Sequence, residues 1–202
     1  MKSLLARFAV VLLLSSTLAV VDAPAGETVR RTGLVTGGGG KPLALLGHPI
    51  AVGEKAPDFT AFDAHMQPVR LADYAGKVVV ITSFPSIDTK VCATQTRAFN
   101  QRASEIPNVQ VLTVSADLPF ALDRFCAAEG IERVRTLSDY RSTDYALKYG
   151  FLLEELRLLA RGTVIVDAGG VVRYVEIVPQ LGQEPDYGRA VEVARSLAAA
   201  TR

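Results

Sequence analysis

The chain has 202 residues, 49% hydrophobic and 21% charged, with a net charge of +1. That is globular composition, of a length that suits one domain plus a processing segment. Lys2, Arg7 and Asp22 account for the net charge, so residues 26–202 are neutral, which excludes the basic footprint of a nucleic-acid binder.

Residues 1–25 have the form of a secretory signal peptide. Lys2 and Arg7 give a positive start, Phe8 to Leu14 is uninterrupted apolar sequence, and Ala23-Pro24-Ala25 offers a cleavage site. A membrane span needs about 20 apolar residues. The run from Phe8 to Val21 is shorter and is broken by Ser15, Ser16 and Thr17. The expectation is export to the periplasm, with no stable membrane insertion after cleavage.

Residues 26–42 are polar and contain Gly37 to Gly40 in a row, which predicts a flexible linker before a domain spanning 43–202. Leu43–Leu46 and Pro49–Val52 flank Gly47-His48 and predict a small hairpin. Short strands follow at Phe59–Phe62 and at Val78–Phe84, the latter an apolar, β-branched run of the kind buried on both faces. A helix is predicted from about Lys90 to Glu105, because Cys92, Phe99 and Ile106 recur on one face while Arg97 and Asn100 fall on others. Val109–Val114 is the next strand. Asp117 is placed to cap a helix over Leu118–Glu129, with Pro119 in its first turn and Gly130 at its end. Then come a strand at Val134–Leu137 and a helix at Thr143–Tyr149. Strands Thr163–Val166 and Val171–Val178 are joined by Gly169-Gly170, and a last helix runs from Asp186 to about Ala199. Alternating strands and helices in the middle predict parallel pairing; the late hairpin predicts an antiparallel edge. This is the layout of an α/β thioredoxin-like fold: a central mixed sheet, flanking helices and an N-terminal β-hairpin extension.

The cysteines Cys92 and Cys126 are the only two. In an exported chain, a pair invites the reading of a permanent structural bridge. The surroundings of Cys92 favour a reactive thiol instead. It falls in the first turn of a helix that follows a buried strand and the loop Pro85-Ser86-Ile87-Asp88-Thr89. Unpaired backbone N–H groups and the helix dipole favour a thiolate there. Thr89, one turn earlier, offers a hydroxyl to the sulfur or to a bound oxygen, and Pro85 bends the chain over the site. Against this stands a Cys92 that is only a small buried hydrophobe. His48 and His65 lie in predicted turns without ligand spacing, and there is no C-x-x-C, P-loop or dinucleotide fingerprint.

The string Phe84-Pro85-Ser86-Ile87-Asp88-Thr89-Lys90-Val91-Cys92 contains the Pro-x-x-x-Thr-x-x-Cys signature of the peroxiredoxins. It resembles the thiol peroxidase branch in particular. So do Ser115-Ala116-Asp117-Leu118-Pro119-Phe120-Ala121, Arg124-Phe125-Cys126 and Glu184-Pro185-Asp186-Tyr187. The resemblance covers residues 43–198. It implies that Cys92 is the peroxidatic residue and Cys126 the resolving residue of the same chain. It also implies an arginine beside the thiolate at the start of a strand, which is Arg161; on residues alone, Arg157 competes equally. The implied activity is reduction of hydrogen peroxide and organic hydroperoxides. The oxidised enzyme would be recycled by a thioredoxin-like reductant and would need no metal or organic cofactor. The resemblance further implies a homodimer. The rival readings are an exported noncatalytic thioredoxin-like module with a structural disulfide, and a thioredoxin-like oxidoreductase, for which Ala93-Thr94-Gln95 after Cys92 lacks the second cysteine.

Overall fold

The structure is a computed structural model that describes residues 28–200. Residues 1–25, expected to be a signal peptide, lie outside them. Strands are numbered β1–β11 and α-helices α1–α4 in chain order. The central seven-stranded sheet has the order β11-β10-β5-β6-β7-β3-β4. Its members are β3 (Thr60–Phe62), β4 (Pro68–Arg70), β5 (Val78–Ser83), β6 (Val109–Ser115), β7 (Arg135–Ser138), β10 (Gly162–Val166) and β11 (Val172–Ile177). β5, β6 and β7 pair in parallel, and β10 and β11 form the antiparallel edge hairpin. Every residue of β5 is buried. Val79 and Ile81 point into one layer with Tyr145, Tyr149 and Phe151; Val78 and Val80 point into the other with Phe99, Ile106 and Ala194. The β-branched run therefore has packing on both faces, as a period of two demands.

Helix α1 (Lys90–Arg102) ends as a 3-10 turn over Ala103–Glu105, and α2 (Pro119–Glu129) stops at Gly130 in the left-handed conformation. Helices α3 (Asp144–Tyr149) and α4 (Tyr187–Ala200) complete the set. Among the described residues, no helix is long and apolar enough to cross a membrane.

The N-terminal region differs from expectation. Val29–Thr36, expected within a linker, is β1; it pairs antiparallel with β2 (Pro42–Gly47) around a turn at Gly38–Gly40. Pro49–Val52 is not a strand. Gly47 adopts φ +122 and His48 donates its N–H to Leu147 instead, so the chain leaves the sheet there. Only Val35 of β1 is fully buried, hence its side chains carry no strand periodicity; backbone pairing with β2 holds it, together with the Arg30–Glu154 pair and the Arg31 bond to the Gly150 carbonyl. Leu43, Ala44 and Leu45 of β2 are buried because β2 lies between β1 and β8 (Leu152–Leu153), in a four-stranded sheet of order β1-β2-β8-β9. β8 and β9 (Leu158–Leu159) form a tight hairpin immediately before Arg161.

Asp139 follows β7 and is buried. Its carboxylate accepts the N–H groups of Tyr145 (3.2 Å) and Ala146 (2.9 Å) at the start of α3. Burial nevertheless pushes its pKa up to about 7, with those N–H groups opposing. An unfolded aspartate ionises near pH 4. Between these values the unfolded chain has lost its proton while the folded chain holds it, so stability falls as pH rises and the loss is complete above about 7. The ceiling on this loss is about 4 kcal/mol. Asp139→Asn should flatten the pH dependence between about pH 4 and 7 in denaturant titrations; an unchanged slope would assign it to other groups.

Candidate active site

The loop from Phe84 to Thr89 carries the chain from the end of β5 to α1. Phe84, Pro85 and Ile87 are buried in it. It is pinned by Asp117, which accepts the Ser86 hydroxyl (2.7 Å), the Ile87 N–H (2.7 Å) and the Ser115 hydroxyl (2.8 Å). Asp117 therefore does not cap α2, whose N-cap is Leu118 with no side-chain bond. Its oxygens are committed to the loop, where an unpaired buried N–H would cost more than a frayed helix end.

Thr89 is the N-cap of α1, yet its hydroxyl caps no helix N–H. It lies 2.8 Å from Cys92 Sγ and 3.1 Å from the Ser86 carbonyl, both acceptors for its single proton. Cys92 is fully buried, the third residue of the helix. Arg161 Nη2 donates to the same sulfur at 3.2 Å. Arg161 is itself buried, at 1% exposure, and its guanidinium is held on every side. Nε and Nη2 donate to the Leu181 carbonyl (3.1 and 2.9 Å), and Nη1 donates to Gln95 Oε1. Gln95 Nε2 in turn donates to Thr82 Oγ1 (2.6 Å) and the Ser83 carbonyl (3.2 Å). A planar fork with each nitrogen engaged has one orientation open to it, toward the sulfur.

The N-terminal sheet contributes to this placement. The Leu181 N–H donates to the Thr36 carbonyl of β1 (3.0 Å), which fixes the carbonyl that holds Arg161. The Ala160 N–H donates to the Phe151 carbonyl (2.7 Å), and Ser83 Oγ to the Ala160 carbonyl (2.9 Å). Gly162 follows because β10 and β11 approach so closely that a Cβ would collide with the Glu176 carbonyl. Arg157 is exposed at the tip of the β8–β9 hairpin with φ +54. The structure thus separates the two arginines that competed in the sequence.

Cys126 is not brought to Cys92. Both thiols are free. Cys126 Sγ, on α2, lies 3.5 Å from Thr136 Oγ1 of β7, and burial together with the Asp123 charge pushes its thiol up, against the Thr136 hydrogen bond. Cys92 packs with Phe84, Ile87 and Leu122; Cys126 packs against the cluster of Val78, Phe99 and Val134. His48 pairs with Glu54 at 3.0 Å. Among the described residues, no group of three or more His, Cys, Asp or Glu is arranged to hold a metal ion. Gln95, Asp117 and Thr136 were missed as parts of the site. The signal for Gln95 was present: an amide one turn after Cys92, on the apolar face, must be hydrogen-bonded if that face is buried.

A nucleophile-bearing thiol between a helix N-terminus, a hydroxyl and a buried guanidinium, on a thioredoxin-like sheet, defines a thiol-based oxidoreductase site. Residues 52–175 match the model of the AhpC/TSA family. A thiol peroxidase of Oceanobacillus iheyensis is 52% identical over 146 residues, 72% of this chain and 89% of that protein. A thiol peroxidase of Bacillus subtilis is 45% identical over 158 residues, 78% of this chain and 95% of that protein. Among solved structures, a peroxiredoxin-like protein from Aquifex aeolicus superposes with a TM-score of 0.77 at 36% identity, covering 85% of this chain and 99% of that one. A thiol peroxidase from Chromobacterium violaceum, at 20% identity, shares the fold with a TM-score of 0.73, covering 80% of this chain and 95% of that one. The chain belongs to the AhpC/TSA family, in the thiol peroxidase branch of the peroxiredoxins, and is an enzyme of that thiol-dependent peroxidase class.

Proposed function

We propose that Cys92 is the peroxidatic cysteine of an exported enzyme that reduces hydrogen peroxide and organic hydroperoxides, and that Cys126 resolves it. The observation that carries this reading is the pair of donors on one buried sulfur: Thr89 Oγ1 at 2.8 Å and Arg161 Nη2 at 3.2 Å. The Cys92 thiolate attacks the terminal peroxide oxygen in line with the O–O bond. That bond breaks, the sulfur gains the oxygen, and the leaving oxygen takes a proton to depart as water or alcohol. Arg161 and Thr89 stabilise the charge that spreads over the oxygens, and Pro85 shapes the loop that must give way to admit them. The Cys92 sulfenic acid then condenses with Cys126, forming a disulfide and water.

A thioredoxin-like donor of the same compartment restores both thiols by exchange. No metal or organic cofactor enters these steps, and the working form is a homodimer. Export rests on the signal features of residues 1–25. A permanent Cys92–Cys126 bridge is the weaker reading, because each sulfur has its own partners.

The test is a thiol titration. Reduced protein treated with one equivalent of peroxide is expected to lose two thiols per chain, and a thioredoxin-like reductant to restore both. Thiols inert to peroxide would overturn the enzyme reading.

A further inference from the structure

The turn that follows α2 is tied both to its own helix and to α1. Gly130 N and Ile131 N both donate to the Cys126 carbonyl, so the last hydrogen bonds of α2 close on the cysteine itself. The next two N–H groups, those of Glu132 (3.1 Å) and Arg133 (2.8 Å), both donate to Asn100 Oδ1 of α1. One turn earlier on α1, Arg97 pairs with Glu129, the last residue of α2, at 3.0 Å. Asn100 and Arg97 touch neither the Cys92 sulfur nor its donors. They lie off the Cys92–Phe99 stripe.

Disulfide formation requires the two Cα atoms within about 7 Å. Axes of helices packed side by side are usually about 8–10 Å apart. Here the two sulfurs also sit in different clusters. The Cys126 end of α2 must therefore loosen before the sulfurs meet, and loosening it breaks the ties to α1. We infer that Asn100, assisted by Arg97, is a latch that keeps the Cys126 end of α2 wound and sets the rate at which Cys126 reaches oxidised Cys92. The inference rests on the reading of Cys126 as the resolving cysteine. The step it governs is Cys92–SOH plus Cys126–SH giving the disulfide and water, with the sulfenic oxygen leaving as that water. The competing fate is attack on a second peroxide, which takes Cys92 to the sulfinic acid. A tight latch favours the competitor, so Asn100 and Arg97 set how much peroxide the enzyme tolerates before it is over-oxidised. They are positioning residues and take no part in the first oxidation.

The experiment uses the full-length protein, pulsed with hydrogen peroxide, quenched by alkylation and read by intact mass. Asn100→Ala removes the acceptor of two backbone N–H groups and is expected to speed disulfide formation about two- to tenfold. The sulfinic fraction at a given peroxide dose should fall, while the rate of the first oxidation stays unchanged. Hydrogen exchange in the reduced protein should quicken at Ile131 to Arg133. Asn100→Asp keeps an acceptor oxygen and should restore the parent rate. Arg97→Ala removes a solvent-exposed ion pair and should act in the same direction by less than about fivefold; it keeps the test open should Asn100→Ala fail to fold. Faster exchange with an unchanged rate and sulfinic yield would overturn the latch. A parent protein that never forms the Cys92–Cys126 bond would instead overturn the assignment of Cys126.

Discussion

Cys92→Ser is expected to abolish peroxide reduction, whereas Cys126→Ser treated with one equivalent of peroxide should still consume it without forming a disulfide. A serine hydroxyl at position 92 would keep both donors, Thr89 and Arg161. It cannot ionise appreciably near neutral pH, however, and no general base among its hydrogen-bond partners would take its proton. Removing the nucleophile of an enzyme typically costs on the order of 10⁴-fold or more in rate. Cys126→Ser leaves the first step intact, since its sulfur contacts Thr136 and not the Cys92 donors. The product should be Cys92 sulfenic acid, 16 Da heavier by the mass of one oxygen, passing to sulfinic acid with excess peroxide. Intact mass spectrometry separates these species from the disulfide. Full activity of Cys92→Ser would end the peroxidatic assignment; a wild-type product profile from Cys126→Ser would end the resolving one.

The second large effect is expected at Arg161. Its Nη2 is the charged donor on the sulfur, and a lost oxyanion donor typically costs about 10²–10³ in rate. Arg161→Ala should also destabilise the fold, because Gln95 Oε1 and the Leu181 carbonyl lose their donors in a buried place. Arg161→Lys separates the two effects: it restores charge but not the planar fork, so activity should recover only in part. Arg157→Ala, at an exposed hairpin tip, should change the rate little. Stopped-flow oxidation of the reduced variants, beside melting curves, measures both consequences. A larger kinetic defect in Arg157→Ala than in Arg161→Ala would refute the placement of Arg161 in the site.

The same residues show what could be read in advance. Cys92, Thr89 and Pro85 lie within one loop and one helical turn, so local spacing places the hydroxyl near the sulfur, and the observed 2.8 Å contact agrees. Val78–Ser83, the stripe Cys92–Phe99–Ile106 and the stops at Gly130 and Gly150 were legible because hydrophobic period and left-handed glycines are local properties. Strand β1 was not legible: its side chains are mostly exposed, and an edge strand held by backbone pairing leaves no periodic trace. Asp117 was legible as a polar residue before a helix, but whether its oxygens face that helix or the Pro85–Thr89 loop depends on how β5 and β6 sit side by side.

The strand-loop-helix that carries Cys92, the thiol peroxidase branch and the alternation of the central sheet are all readable from the amino-acid order. These follow from short-range spacing and from strings of neighbouring residues. That Arg161 and not Arg157 lies beside the Cys92 sulfur is visible only in the folded chain. Thr36 holds Leu181, and Leu181, with Gln95, holds the guanidinium. Those partners are far apart in the chain, and no local pattern encodes which of two arginines four residues apart is buried. The contact of Cys126 with Thr136, and the bonds from the turn after its helix to Asn100, likewise depend on how helices and sheet pack and not on either helix alone.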